Sequence, residues 1–286
     1  MTAAADLASG KGHTDENFPV ASVLIAKKFR PPVLAFYRFA RIADDVADHE
    51  TAAPDEKLAL LETMRAGLAN GTAGSPEAVA LRQVLAERNL TNQHGLDLLE
   101  AFRRDVTKLR YADWAELMDY CRYSAMPVGR FVLDVHGESR DTWPANDALC
   151  AALQVINHLQ DCAKDYRTLN RVYLPLDRLE PAGLTVDALA QPRSSLTLIA
   201  VIRSLARDTQ DLLAVARPFA AQIRDRRLSL EVSVIQTLAE DLTQRLLGRD
   251  PLCDRVHHDK IEMPGLLMRA LGRFAAARLG PKKAAP

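Results

Sequence analysis

Apolar residues recur along this chain at the three- and four-residue spacing of an α-helix, and no segment shows a convincing strand alternation. Proline- and glycine-containing breakers divide this pattern into ten predicted helices. They span residues 20–29, 32–49, 55–69, 76–88, 93–106, 112–136, 146–167, 196–223, 230–248 and 262–279. No linker is long or of low complexity, so we predict one all-α domain.

The predicted domain covers residues 16–280. The ends, residues 1–15 and 281–286, are small, polar or rich in proline and lysine, so we expect them to be frayed. Inside the helix predicted over 112–136, Pro127 removes a backbone donor and should produce a kink.

The helix predicted over 32–49 is apolar around most of its circumference, which is typical of a buried helix. At about 100° per residue, one strip of it is nevertheless polar. This strip contains Tyr37, Arg41, Asp44 and Asp48. Two buried carboxylates one turn apart repel each other, and Mg²⁺ would satisfy both while keeping waters that a phosphate can replace. In the alternative interpretation, Arg41 only pairs with Asp44 or Asp45 on the same helix.

A second polar strip lies on the helix predicted over 146–167, which is otherwise largely apolar. Its members are Asn157, Asp161 and Asp165, with Gln154 and Lys164 at the edges. The spacing of four residues puts the three oxygen-bearing side chains on one face. If the two strips face each other across a cavity, five such side chains converge, and this cluster suits two or three Mg²⁺ ions that hold a diphosphate. A single D-x-x-x-D spacing also occurs on solvated helix faces, where it binds nothing.

The overall composition excludes some classes of function. Basic and acidic residues balance at 37 each, whereas a general nucleic-acid binder normally carries a basic excess. The four cysteines form no C-x-x-C pair and indicate small, reduced core residues. No signal peptide and no run of 18 apolar residues is evident, so we expect a cytoplasmic protein. The basic residues in 224–227 most simply form a solvated helix end, although attraction to anionic lipids is an alternative.

The segment 166–178 follows the second strip directly and is rich in groups that bind phosphate. Two interpretations are open for it. It is either a lid that closes over the metal site or an ordinary surface connection.

Together these segments resemble the squalene/phytoene synthase family, the head-to-head isoprenyl diphosphate synthases. The resemblance covers roughly residues 16–280 and is strongest over 37–48, 120–130 and 154–175. Within the family the chain is most similar to the hydroxysqualene synthase branch of hopanoid biosynthesis. The segments that suggest this branch are 16–22, 104–111 and 124–130.

The resemblance implies an isoprenoid synthase fold, with antiparallel helices around a central cavity. It also implies a reaction in which presqualene diphosphate loses diphosphate, the cation rearranges, and water captures it as hydroxysqualene. Two or three Mg²⁺ ions would be needed, and no NADPH, because water takes the place of hydride. A presqualene diphosphate synthase is the expected functional partner. Peripheral contact with the inner membrane surface is expected from the oily product.

The resemblance also implies roles for individual residues. The metal ligands would be Asp44, Asp48, Asn157, Asp161 and Asp165. The substrate-binding residues would be Ser22, Arg41, Ser124, Gln154 and Arg171, the last of these contacting phosphate from the lid. Tyr37 and Tyr120 would be catalytic, because their rings can face a carbocation. For the residue that positions the capturing water, Tyr120, Ser124 and Asp105 stay open as candidates.

Two alternatives accompany this interpretation. The first is a squalene, dehydrosqualene or phytoene synthase that itself condenses two prenyl diphosphates, since all five motif oxygens are present. The second is a catalytically silent helical scaffold that binds isoprenoids, in which the polar strips are structural ion pairs.

Overall fold

The computed structural model describes Ala4 and residues 24–71 and 74–279, with the side chains of 277–279 excepted. In these ranges the regular elements are helices, and extended backbone pairs only at an isolated bridge between Arg110 and Val172. The predicted all-α class is therefore confirmed. The ends predicted as frayed lie outside the described residues, apart from Ala4, and the single domain over 16–280 stays a prediction.

The described residues form twelve α-helices. They are α1 (Arg30–Asp48), α2 (Pro54–Asn70), α3 (Pro76–Glu87), α4 (Gln93–Thr107), α5 (Trp114–Ser124), α6 (Met126–His136), α7 (Trp143–Leu169), α8 (Leu176–Leu179), α9 (Leu196–Ala216), α10 (Phe219–Gln222), α11 (Arg226–Gly248) and α12 (Met263–Leu279). Short side chains cap several of them, as when Asp225 accepts hydrogen bonds from two backbone N–H groups in the first turn of α11.

Three helix predictions were wrong in detail. The helix predicted over 20–29 is only a 3₁₀ turn at Lys27–Phe29, and residues 20–23 lie outside the described ranges. The helix predicted over 112–136 breaks at Ala125 into α5 and α6, so the proline-induced distortion is confirmed as a break. The helix predicted over 196–223 ends at Ala216, because the following Pro218 cannot continue it.

Two large apolar clusters organise the packing. The first is built mainly from α1 to α4 and is joined by Phe131 of α6. The second is built mainly from α5, α7, α9 and α11. A cavity of about 530 Å³ lies where α1, α4, α5, α6, α7 and α11 converge, and its size is typical of a small-molecule site.

Candidate active site

The first polar strip lies on the cavity wall. Tyr37, Arg41, Asp44 and Asp48 all line the cavity from one face of α1, as their spacing predicted. The Arg41 guanidinium contacts Asp44 at 2.9 Å and the buried Asp45 at 2.6 Å. The intrahelical pairing considered above therefore exists, and it holds Arg41 against the cavity.

The second polar strip faces the same cavity from α7. Gln154, Asn157 and Asp165 line it, whereas Asp161 is not among the lining residues. Burial raises the pKa of Asp165 to about 7, and the negative charges of Asp161 and Asp48 add to the shift. Asp48 and Asp165 line the same cavity, so the two strips approach each other there.

Asp44 is the most strongly perturbed carboxyl group of the first strip. Its pKa is raised to about 8, mainly by burial and then by repulsion from Asp48, while Arg41 opposes the shift. About a third of its side chain, 35%, is accessible to solvent, and that side chain lines the cavity. Repulsive carboxylates that are enclosed by protein and open to a cavity form a site that favours a cation.

Within the described residues, no group of three His, Cys, Asp or Glu side chains is close enough to hold a metal ion by itself. This arrangement fits Mg²⁺, which usually takes one or two carboxylates and completes its shell with water and substrate phosphates. The donor set is also of the right kind, since the two strips present carboxylate oxygens and the amide of Asn157 to the cavity.

Arg171 joins the carboxyl end of α1 to the carboxyl end of α4. Its guanidinium donates hydrogen bonds to Asp48 Oδ1 at 2.5 Å, to the Ala47 carbonyl at 2.9 Å and to the Asp105 carbonyl at 2.9 Å. Arg171 also lines the cavity, so the predicted contact with phosphate stays a prediction. The positive charge of Arg171 offsets the negative charge of Asp48.

The interpretation of segment 166–178 as an ordinary surface connection was wrong, and its interpretation as a lid stays a prediction. Residues 166–169 extend α7, and residues 171–175 are buried. Val172 donates a backbone hydrogen bond to Leu109, and Leu176 donates one to Tyr111. Leu169, Arg171 and Tyr173 of this segment form part of the cavity wall.

A buried polar network, which the sequence showed only in part, lies beside the acidic strips. Asp105 accepts hydrogen bonds from Tyr120 at 2.8 Å and from Tyr173 at 2.9 Å. The ring of His158 stacks on Tyr173 with 3.5 Å between centroids, and Gln154 lies 3.0 Å from its Nε2. Tyr173 and His158 are not among the residues predicted for the site, and the only sequence signal for them is their position within or just after the second strip.

Burial sets the protonation of this network. The pKa of Asp105 is raised to about 6, mainly by burial, and the positive charge of Arg171 limits the shift. Burial, with a smaller contribution from the positive charge of Arg171, lowers the pKa of His158 to about 3, so its ring is neutral near pH 7. The pKa values of Tyr120 and Tyr173 are raised well above their usual range, again mainly by burial.

The rest of the cavity is mostly apolar. Phe36 and Phe131 stack on its wall with 4.1 Å between ring centroids, and several aliphatic side chains extend the surface. Gly129 permits the close approach of α6 and α7, since a Cβ there would lie 2.0 Å from the Asn146 Oδ1. The cavity thus has a charged region and a larger oily region, as an amphiphile with a charged head requires.

Of the two serines predicted to bind substrate, the structure describes only one. Ser22 lies outside the described residues. Ser124 lines the cavity one turn after Tyr120, and its Oγ is buried without a hydrogen-bond partner among the described residues. The structure therefore places every predicted site residue that it describes on the cavity wall, except Asp161.

This geometry agrees with a comparison with known proteins. The family model described as squalene/phytoene synthase matches residues 11–262. The chain belongs to the squalene/phytoene synthase family. The resemblance drawn from the sequence is thereby confirmed. The prediction of an enzyme, rather than a catalytically silent scaffold, is confirmed as well.

Members of the squalene/phytoene synthase family resemble the chain over most of its length. The hydroxysqualene synthase of Zymomonas mobilis is 58% identical over 274 residues, covering 95% of this chain and 92% of the relative. The hydroxysqualene synthase of Rhodopseudomonas palustris is 58% identical over 262 residues, covering 92% of this chain and 90% of the relative. A crystal structure of a squalene synthase from Alicyclobacillus acidocaldarius, 32% identical, superposes with a TM-score of 0.71 over 85% of this chain and 91% of that one.

Proposed function

We propose that this protein is a hydroxysqualene synthase, which converts presqualene diphosphate and water into hydroxysqualene and diphosphate. The observation that carries the proposal is the cavity itself, in which acidic strips from α1 and α7 face each other beside a large apolar surface. The two relatives at 58% identity, both named hydroxysqualene synthases, support the same reaction.

The charged region of the cavity would bind the leaving group. Asp44, Asp48, Asn157, Asp161 and Asp165 would hold two or three Mg²⁺ ions, which would supply the positive charge that makes diphosphate a better leaving group. Asp161 does not line the cavity, but it would join this set from the same face of α7.

The other polar residues would orient the substrate. Arg41, already fixed by two carboxylates, would donate hydrogen bonds to diphosphate, and Arg171 would do so if it exchanged Asp48 for phosphate. Gln154 is oriented by His158, whose neutral ring adds no positive charge next to a developing cation.

The apolar region would enclose the hydrocarbon chains and exclude bulk water from the cation. The rings of Tyr37 and Tyr120 on the cavity wall would face that cation, because the face of an aromatic ring attracts positive charge. No NADPH would be needed, since the cationic carbon forms a bond to the oxygen of water and not to a hydride.

A test of the proposed function is product analysis with each substrate separately. Purified protein with Mg²⁺ and without NADPH should form hydroxysqualene from presqualene diphosphate and should form no C30 product from farnesyl diphosphate alone. A chelator should abolish the first reaction, and added Mg²⁺ should restore it. A C30 product from farnesyl diphosphate alone would instead favour the alternative, a synthase that condenses two prenyl diphosphates.

We also propose that a presqualene diphosphate synthase supplies the substrate and that the protein contacts the inner membrane surface peripherally. No helix among the described residues is long and apolar enough to cross a membrane. However, α12 exposes Leu267, Met268 and Leu271, with exposed fractions of 40%, 69% and 44%. Residues 260–286 contain six basic residues and one acidic residue, although the whole chain is balanced. Exposed apolar side chains beside basic ones suit an anionic lipid surface.

Replacing these three residues of α12 with serine should weaken binding to vesicles of anionic phospholipid about tenfold or more, since about 1.4 kcal/mol of lost burial has that effect. Co-sedimentation with the vesicles measures it. Val215→Ser, which removes an exposed apolar side chain from α9, is the control and should leave binding unchanged. Equal sedimentation of the triple variant and the unaltered protein would refute contact through α12.

A further inference from the structure

The last step of the proposed reaction needs a water molecule at one place and an acceptor for its proton. Bulk water would capture the cation at several carbons, and a base in direct contact with the hydrocarbon would remove a carbon-bound proton to give an alkene. The protein therefore has to hold one water and keep the final proton acceptor away from the hydrocarbon.

Ser124 and Tyr120 offer two hydroxyl groups to such a water. They are four residues apart on α5, so they share one face of the helix, and both line the cavity. Ser124 Oγ is buried without a hydrogen-bond partner among the described residues. A buried hydroxyl without a partner is costly, which is consistent with a position that a ligand or water completes.

Tyr120 is also connected to a carboxylate. Its hydroxyl donates to Asp105 Oδ2 at 2.8 Å, and a phenol oxygen that donates can also accept a hydrogen bond from a water. Tyr173 donates to the other oxygen of Asp105 at 2.9 Å and so fixes the orientation of that carboxylate. Arg171, which stabilises the negative charge of Asp105, keeps it competent to accept a proton.

We propose that Ser124 and Tyr120 hold the water that ends the reaction and that Asp105 takes up its proton through Tyr120. The inference rests on the proposed function. The water oxygen donates an electron pair to the cationic carbon and forms the C–O bond. One O–H bond of that water breaks, its proton passes to the Tyr120 oxygen, and the original Tyr120 proton passes to Asp105 Oδ2.

Charge balances in this step, because a cation and a carboxylate become a neutral alcohol and a carboxylic acid. Tyr120 ends the step neutral, as it began. Asp105 returns its proton to solvent when the product leaves. Asp105 lines the cavity, but each of its oxygens accepts a hydrogen bond from a tyrosine hydroxyl, so capture by water is favoured over direct removal of a carbon-bound proton by the carboxylate.

A second buried carboxylate on the cavity wall provides a competing assignment. Glu231 of α11 is 3% exposed and lines the cavity together with Leu228, Val232 and Ile235 of the same helix. The geometry favours Asp105, because the 2.8 Å hydrogen bond from Tyr120 connects this carboxylate to the hydroxyl pair on α5. A glutamine at position 231 distinguishes the two assignments directly.

The test is a product analysis with presqualene diphosphate, in which diphosphate release reports ionisation and the share of hydroxysqualene reports capture. Tyr120→Phe and Asp105→Asn should lower the rate of hydroxysqualene formation about 100-fold. This factor is at the lower end of the usual effect of removing a group that transfers a proton. Diphosphate release should fall far less, and the ionised substrate that water does not capture should appear as alkenes. Ser124→Ala should shift the product share in the same direction, and Ser124→Thr, which keeps the hydroxyl, should restore it.

Tyr111→Phe is the matched control. The Tyr111 ring packs 5.3 Å from Tyr120, but Tyr111 does not line the cavity, so the product share should not change. If diphosphate release and hydroxysqualene fall together in the Tyr120, Asp105 and Ser124 variants, or if the product share stays constant, the proposal is overturned. A shift caused by Glu231→Gln alone also overturns it. Failure of the unaltered protein to form hydroxysqualene would instead refute the proposed function.

Discussion

Replacing Asp44 with asparagine should lower turnover of presqualene diphosphate about 10³-fold and should also stabilise the protein in the absence of metal. The loss of turnover follows because an amide carries no charge to help hold Mg²⁺, and about 4 kcal/mol of stabilisation of the departing diphosphate corresponds to that factor. The gain in stability follows from the pKa of Asp44, which is raised to about 8 by burial and by repulsion from Asp48.

The sign of the stability effect depends on pH. Between about pH 4 and pH 8 the folded protein keeps a proton on Asp44 that the unfolded chain has released, so the contribution of Asp44 to the unfolding free energy falls as pH rises. Asparagine has no such dependence. Because 35% of the Asp44 side chain is accessible, solvent screening reduces the gain to about 1 kcal/mol at pH 8, and less at pH 5.

Urea unfolding of the metal-free protein at pH 5 and pH 8, together with product formation from presqualene diphosphate, checks this prediction. Asp55→Asn is the control, because Asp55 is exposed in the first turn of α2 and does not line the cavity. It should change neither activity nor the pH trend. An Asp44→Asn protein that stays active within tenfold, or that is less stable than the unaltered protein at pH 8, would contradict the assignment.

The two acidic strips could be predicted because each lies on a single helix. Helical spacing alone places the side chains of each strip on one face of their helix, independently of the tertiary structure. This holds for Asp44 and Asp48 and for Asn157, Asp161 and Asp165. The apolar surroundings then indicate burial, and repulsion between buried carboxylates indicates a bound cation. Only the approach of α1 to α7 had to be assumed, and the structure provides it.

The polar network beside the strips could not be predicted in the same way, because its members are far apart in sequence. Tyr173 and Asp105 are separated by 68 residues, and Arg171 and Asp48 by 123. No periodicity within one helix reports such contacts. The polar composition of 166–178 resembles that of a surface loop, yet residues 171–175 are buried and backbone hydrogen bonds join the segment to the residues after α4. Tertiary pairing, rather than local propensity, decides the conformation of this segment.

Replacing Arg171 with methionine should lower the free energy of unfolding by about 3–5 kcal/mol, the usual cost of removing one partner from a buried ionic network. The Arg171 side chain is 7% exposed, and its hydrogen bonds satisfy the carbonyl groups of Ala47 and Asp105. Each buried carbonyl left without a donor costs about 1–3 kcal/mol. The ion pair between Arg171 and Asp48 contributes less to the free energy of unfolding, since the Asp48 side chain is 41% exposed.

Urea unfolding at pH 7 without Mg²⁺ measures this loss, and Arg178→Met is the matched control. Arg178 also follows α7 and pairs with Asp208 at 3.0 Å, but it is 36% exposed, so its removal should cost at most about 1 kcal/mol. Arg171→Lys should fall between the two, because lysine keeps the charge but lacks the planar set of donors. If Arg171→Met unfolds like the unaltered protein and only weakens substrate binding, then Arg171 serves the diphosphate alone and the cross-link between α1 and α4 adds nothing to the fold.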